Sequence, residues 1–331
     1  MKKYKVDVII PIYNSLNWVK LCIKAVLKNT NFDILGKIYL MNDCSNKETT
    51  SYLNEIKERY KDLIEVVHNK ENLGFLKTCN KAMSLSKSDY VLLLNSDCIV
   101  SKNAIEKMAD TMSKDKKIGL LCPISSVAAN LSYPIPEGMN FMQVNEVFEK
   151  QFRGKTFDAC TVVGNCLMIS RENINKVGLF DEIFGKGYTE ETDYQFKSMK
   201  KGMKAKVLID TYVYHESRVS FGESEKQLKI REEHLKIFFD RWQEEYNRCM
   251  AEYQKNNPID YINKNINYQE TRSDYTMEVK RKQDLDMVSN MVNILLLEGI
   301  NVKVQMKEKL LKDYEGTMLF NPSIKKGFFD K

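Results

Sequence analysis

Proline is scarce in this chain, at six residues in 331, and histidine scarcer, at three. The eight cysteines include no C-x-x-C pair and mostly lie in apolar runs. That argues against a zinc site or a disulfide framework and for reduced thiols of the cytosolic kind. No apolar run approaches the roughly 18 residues that a membrane span needs. Met1-Lys-Lys-Tyr-Lys-Val6 leads straight into a strand-like run, without the apolar stretch of a signal peptide. No G-x-G-x-x-G follows the first strand, which speaks against a Rossmann oxidoreductase. Pro11-Ile-Tyr-Asn14 holds neither the glycines nor the basic residue of a nucleotidyltransferase phosphate loop. There is no internal repeat and no basic block. Net charge is +6 with acids and bases alternating, a solvated surface that favours anionic ligands rather than a nucleic-acid footprint.

What is present is an alternation of buried-type strands and amphipathic helices. Val6–Tyr13 is an apolar β-branched run, and Leu16–Lys28 carries apolar residues at helical spacing. Strands follow at Lys37–Met41, Leu63–His68 and Tyr90–Asn95, with helices at Thr49–Tyr60, Phe75–Leu85 and Ala104–Met112. This order predicts an α/β fold with a mostly parallel, Rossmann-like sheet flanked by helices. Polar clusters fall at the strand ends, at Tyr13-Asn14, Asp43, Asn69–Gly74 and Asp97, where ligands of such sheets sit. Further on, Thr161–Ser170 reads as a strand pair or one long strand, Lys204–Tyr214 as a strand and Glu225–Tyr253 as a long core-facing or dimer-facing helix, so a homodimer is left open. A first domain over 1–253, a polar linker over 254–273 and a small α/β appendage or truncated second domain over 274–331 are expected. In the appendage, strands at 275–279, 301–306 and 316–320 alternate with helices at 284–298 and 307–313.

The densest chemistry lies in Phe184-Gly-Lys-Gly-Tyr-Thr-Glu-Glu-Thr-Asp193, followed 22 residues later by His215. Two adjacent acids after a glycine-flanked turn suit proton abstraction from a hydroxyl. They also suit the first turn of a helix, where carboxylates complement the dipole. The ordered motifs over about residues 5–245 resemble family 2 of the inverting glycosyltransferases, which have the GT-A fold. Val8-Ile-Ile-Pro-Ile-Tyr-Asn14 is similar to the family's opening strand and base loop. Asn42-Asp-Cys-Ser45 and Asn69–Asn80 are similar to its base, ribose and diphosphate segments. Leu94-Asn-Ser-Asp97 is similar to its D-x-D motif, with Asn95 in the first acidic place. Phe184–Asp193 resembles its acceptor-site motif, with Thr189 where glycine is usual, and Val213–Gly222 its histidine segment.

The resemblance implies roles. Pro11, Tyr13 and Asn14 would line the base pocket, and Asp43 would accept the imide N–H of a uracil or thymine ring. Asn72, Gly74, Lys77 and Ser96 would lie along the nucleotide. Gly164 and Asn165 would approach the donor sugar. Asp97 and His215 would hold Mn2+ or Mg2+ across a diphosphate. Glu191 would be the base, with Glu190 and Asp193 on the acceptor. Each has a plainer reading: a turn residue for Asp43 and Asp97, a solvated face for Lys77, a helix cap for the acids, a structural histidine for His215. His68 and His234 are given no role. The implied partners are a nucleotide-sugar donor of the UDP or dTDP type and a glycan or lipid-linked glycan acceptor, with surface-polysaccharide synthesis in the cytoplasm or at the inner membrane face. A non-catalytic module that binds a nucleotide sugar or a glycan is the alternative.

Overall fold

The computed structural model of the chain describes residues 4–217, 225–268, 273–311 and 318–324. Val6–Ile12 (β1) and Tyr90–Leu94 (β4) are buried along nearly their whole length. That is why each reads as a continuous apolar run, since a central parallel strand is covered on both faces. Leu35–Asn42 (β2) and Ile64–His68 (β3) continue the sheet on the other side of β1, all parallel in the order β3-β2-β1-β4. Leu16–Asn29 (α1), Lys47–Arg59 (α2) and Phe75–Leu85 (α3) form the crossovers. The chain steps to one side of β1 for β2 and β3 and to the other for β4. A topological switch point therefore opens between the carboxyl ends of β1 and β4.

Beyond β4 the sheet becomes mixed. Cys98–Val100 (β5), Ala104–Lys114 (α4), Ile118–Ser125 (β6), Phe141–Phe152 (α5) and Thr156–Asp158 (β7) come first. Cys166–Ser170 (β8), Arg171–Val177 (α6), Glu190–Lys200 (α7) and Lys204–His215 (β9) follow. β8 inserts antiparallel between β4 and β6, while β9 runs parallel to β6 and antiparallel to β5 and β7. Of the strand expected over 161–170 only β8 forms, and residues 159–165 are a loop. Buried Gln195 of α7 replaces the missing strand partners there. Its Oε1 accepts from Val162 N at 2.6 Å, and its Nε2 donates to the carbonyls of Ala159 and Cys160 at 2.9 and 3.1 Å.

Glu225–Lys255 (α8) lays Phe238 and Trp242 against Phe196 of α7. The segment 254–273 is not a linker throughout. Pro258–Asn265 is a helix (α9), because Asn257 caps the amides of Ile259 and Asp260 and Pro258 opens the first turn. Its Ile262 is fully buried. Tyr275–Glu278 (β10), Leu285–Leu297 (α10), Val302–Met306 (β11) and Ser323–Ile324 (β12) then build a small parallel sheet. Of the strand expected over 316–320, residues 316 and 317 lie outside the described residues, and Phe320 makes only an isolated bridge to Asn140. The helix expected over 307–313 is a single 3-10 turn at Glu308–Leu310 among the described residues. This unit packs on the larger sheet: Val292, Leu296 and Phe320 share its core, and Glu298 pairs with Lys24 and Lys28 of α1.

Candidate active site

A cavity of about 240 Å³ opens at the carboxyl ends of β1, β2 and β4, at the switch point. Pro11, Tyr13, Asp43, Asn72, Gly74, Ser96 and Asp97 line it, joined by Ile12, Phe75, Asn95 and Lys186. Tyr13 leaves its ring 53% exposed at the rim. Asp43 is buried and organises the loop after β3. Its Oδ1 accepts from Asn69 Nδ2 and Leu73 N, both at 2.8 Å, and its Oδ2 from Gly74 N at 2.9 Å. A carboxylate has about four acceptor positions, so one remains for a ligand N–H. Asn14 does not reach the cavity. It sits at φ 59 and ties two loops together, its N–H donating to Ser45 Oγ and its Oδ1 accepting from Asn46 N. Lys77 also points elsewhere, to Glu182 at 3.8 Å on an exposed face.

A second cavity of about 180 Å³ shares Phe75 and Asn95 with the first and is lined by Gly164, Asn165, Glu190, Glu191 and His215. Glu190 and Glu191 open α7. Thr189 before them takes φ 77 and Tyr188 φ 76, the left-handed region that glycine tolerates and a β-branched residue does not. Glu190 is buried, and burial first and then the neighbouring charge of Glu191 push its carboxyl well above the usual range. Glu191 is also raised by burial, but the Gly164 amide and the hydrogen bond from Glu190 act against this. Both carboxyls are thus raised, Glu190 further than Glu191, and the two titrate as an interacting pair. Glu191 Oε2 has no hydrogen-bond partner. Asn165 lends mainly structure: its carbonyl accepts from Asn95 N at 2.9 Å, and its side chain donates to Ser125 Oγ at 3.1 Å.

Asp193 does not enter either cavity, against the expectation of acceptor contact. It is fully buried, and its Oδ1 accepts from Trp242 Nε1 at 2.9 Å and Arg241 Nη1 at 3.0 Å. Lys197 Nζ lies 2.8 Å from its Oδ2. The side chain clamps α7 to α8. His234, given no role by the sequence, makes a second clamp: its Nδ1 is 3.1 Å from the carbonyl of strained Tyr188.

Asp97 and His215 meet where the cavities join, with Oδ1 and Nε2 3.5 Å apart. His215 Nδ1 is 2.7 Å from the Val127 carbonyl, which can only accept, so the hydrogen sits on Nδ1 and Nε2 turns towards Asp97. Burial lowers the basicity of His215, but the hydrogen bond and charge of Asp97 outweigh it and the net shift is upward. Asn95 Oδ1 is buried without a partner beside them. A carboxylate, an imidazole and an orphaned amide oxygen suit Mn2+ or Mg2+. Cys98 Sγ is also near Asp97 and His215, but burial, then the charge of Asp97, keeps it a thiol, a poor partner for a hard cation. Residues 218–222 of the histidine segment lie outside the described residues. A larger cavity of about 720 Å³ between β7, β9 and α8 carries mixed charges and none of these groups.

Residues that the sequence left unassigned are therefore Lys186, Gln195, His234 and the Arg241-Trp242 pair. Only Lys186 carried a local signal, since glycines flank it on both sides.

The family model "Glycosyl transferase family 2" matches residues 7–178, more than half of the chain. An uncharacterized glycosyltransferase of Haemophilus influenzae is 29% identical over 113 residues, 34% of this chain and 34% of the relative. The poly(ribitol-phosphate) beta-glucosyltransferase of Bacillus spizizenii is 24% identical over 101 residues, 30% of this chain and 16% of the relative. The chain thus spans 34% and 16% of the length of these two curated relatives. The crystal structure of GalNAc-T7 with UDP, GalNAc and Mn2+ superposes with a TM-score of 0.58 at 18% identity, over 72% of this chain and 49% of that one. The likeness extends the GT-A fold to this chain.

Proposed function

The chain belongs to glycosyl transferase family 2, and on that premise we propose that it moves a sugar from a UDP- or dTDP-sugar to a glycan hydroxyl, with inversion. One observation carries the reading. Asp97 lines the nucleotide-sized cavity and His215 the acidic one, and the two side chains are 3.5 Å apart at the junction. A donor lying along this axis has its base near Asp43, its diphosphate near Asp97 and its anomeric carbon towards Glu191.

The residues then divide the work. Asp43 accepts the imide N–H, which selects uracil or thymine over cytosine. Tyr13 offers a ring face to the base. Asp97 and His215, with Asn95 beside them, would hold Mn2+ or Mg2+. Such an ion, when bound, offsets the charge that develops on the departing diphosphate. Glu191, whose charged form the Gly164 amide and the Glu190 carboxyl favour against the effect of burial, removes the proton of the acceptor hydroxyl as that oxygen attacks. Gly164 lies beside Glu191, where even a Cβ would make only ordinary contact with Glu191 Oε1 at 3.6 Å. A surface polysaccharide as the product is supported by the poly(ribitol-phosphate) beta-glucosyltransferase among the relatives. Among the described residues no helix is long and apolar enough to cross a membrane. A lipid-linked acceptor would bring the enzyme to the membrane surface from the cytoplasm, where nucleotide sugars are made.

The test is donor hydrolysis, the slow transfer to water that needs no known acceptor. UDP- and dTDP-sugars are incubated with the protein and Mn2+, and the first anomer released is read by NMR. The reading expects an inverted anomer. A retained anomer would overturn the inverting reading, and no turnover of any such donor would overturn catalysis and favour a non-catalytic binding module.

A further inference from the structure

We propose that Lys186 is a diphosphate-binding residue of the donor site, carried over the nucleotide cavity by the loop that precedes the catalytic acids. This rests on the nucleotide-sugar reading above and adds a residue to it.

The loop is built to lie on the cavity. Lys186 stands between Gly185 at φ 55 and Gly187 at φ 134. Its carbonyl accepts from Phe75 N at 3.1 Å, on the first residue of α3. A Cβ on Gly74 would fall 2.7 Å from Lys186 Cβ, so glycine at 74 is what lets the loop approach this closely. The side chain then reaches Asn72, with Nζ donating to Asn72 Oδ1 at 3.0 Å.

Among the described residues, Lys186 is the one cation lining this cavity, whose other charged groups are Asp43 and Asp97. On α3, Lys77 is engaged with Glu182 and Lys81 with Asn69 Oδ1 at 2.8 Å. A nucleotide-sugar diphosphate brings two negative charges, and the departing nucleoside diphosphate a third. The two carboxylates repel it, and a single divalent ion offsets only part of it. The Lys186 ammonium has three donors and spends one on a neutral amide oxygen. It can turn to phosphate oxygens at the loss of one uncharged hydrogen bond, against a charge-assisted one gained.

The experiment measures affinities for UDP, UMP and uridine, each with Mn2+, for the wild type, Lys186→Met and Lys186→Arg. Lys186→Met is expected to weaken UDP about tenfold, as loss of a charge-assisted hydrogen bond does, and to leave uridine unchanged. Lys186→Arg is expected to keep most of the UDP affinity. Full UDP affinity in Lys186→Met would overturn the proposal. So would an equal loss of uridine and UDP, which would mean that the substitution disturbs the loop rather than the diphosphate contact. A wild type that binds UDP no better than uridine would defeat the nucleotide-sugar reading itself, and this inference with it.

Discussion

Removing the Asp193 carboxylate separates a structural role from an acceptor-binding one. In Asp193→Ala three partners change state. Trp242 Nε1 loses its acceptor in a buried place, which costs about 1–3 kcal/mol. Arg241 and Lys197 lose a buried counter-charge, but each keeps Asp181 at 2.9 Å and about a third of its side-chain exposure. Their cost therefore falls below the 3–5 kcal/mol of a fully stranded ion, and about 3 kcal/mol in total is expected. Asp193→Asn keeps an acceptor for Trp242 and loses only charge, for about 1–2 kcal/mol. Urea unfolding followed by tryptophan fluorescence reports both, since Trp18 and Trp242 are the two tryptophans and only Trp242 touches the substituted group. Acceptor KM should stay within twofold in both variants. A loss of less than 1 kcal/mol in Asp193→Ala would refute the clamp. An unchanged stability with acceptor KM raised tenfold in Asp193→Asn would restore the acceptor role.

Three further outcomes follow from the site. Glu191→Gln should lower the transfer rate by about 10²–10⁴-fold with UDP affinity unchanged, and a variant with near-normal rate would remove Glu191 as the base. Glu190, raised in the fold above its ordinary 4.5, keeps a proton that the unfolded chain releases. Its contribution to stability therefore declines as pH rises from about 4.5 through the folded value. His215, raised above 6.5, declines in the same direction at higher pH. The difference between the wild type and Glu190→Gln isolates the first group: the variant should gain on the wild type as pH rises from 5 to 8, and parallel urea midpoints would contradict this. Thr189→Gly should raise the melting temperature. The left-handed backbone costs a threonine about 1–2 kcal/mol, glycine's extra freedom when unfolded takes back about 0.5–1, and Thr189 makes no side-chain cap. A fall in melting temperature would mean that the strain is not where φ 77 puts it.

Much of this was legible before any coordinates, for physical reasons. Strands β1 and β4 are covered on both faces, so they announce themselves as unbroken apolar runs, and the polar residues that end them fall at the switch point. Asp43, Asp97 and His215 stand out because each follows such a run, and Glu191 because it follows a glycine-flanked turn. What stayed hidden depends on where distant segments return. Lys77 and Lys186 are equally plausible phosphate ligands in one dimension, and only the seating of the 184–189 loop on Gly74 decides that Lys186 faces the cavity. Asp193 looks like a third acceptor-site acid until α8, some 48 residues on, supplies Arg241 and Trp242. Asn14 looks like a base-pocket residue until its φ and its bonds to Ser45 and Asn46 show a loop tie. Helix α9 is a different case. Asn257-Pro258 is a cap followed by a first-turn proline, a signal that the asparagine-rich composition around it obscured.

The central claim is that a uracil nucleotide binds at the switch point through a divalent ion held by Asp97 and His215. Calorimetric titration of UDP into the wild type and Asp97→Asn, each with and without Mn2+, tests it most directly. Mn2+ should tighten UDP binding at least tenfold in the wild type and leave Asp97→Asn almost unmoved. UDP binding that ignores Mn2+, or an Asp97→Asn protein that responds to Mn2+ as fully as the wild type, would contradict the account.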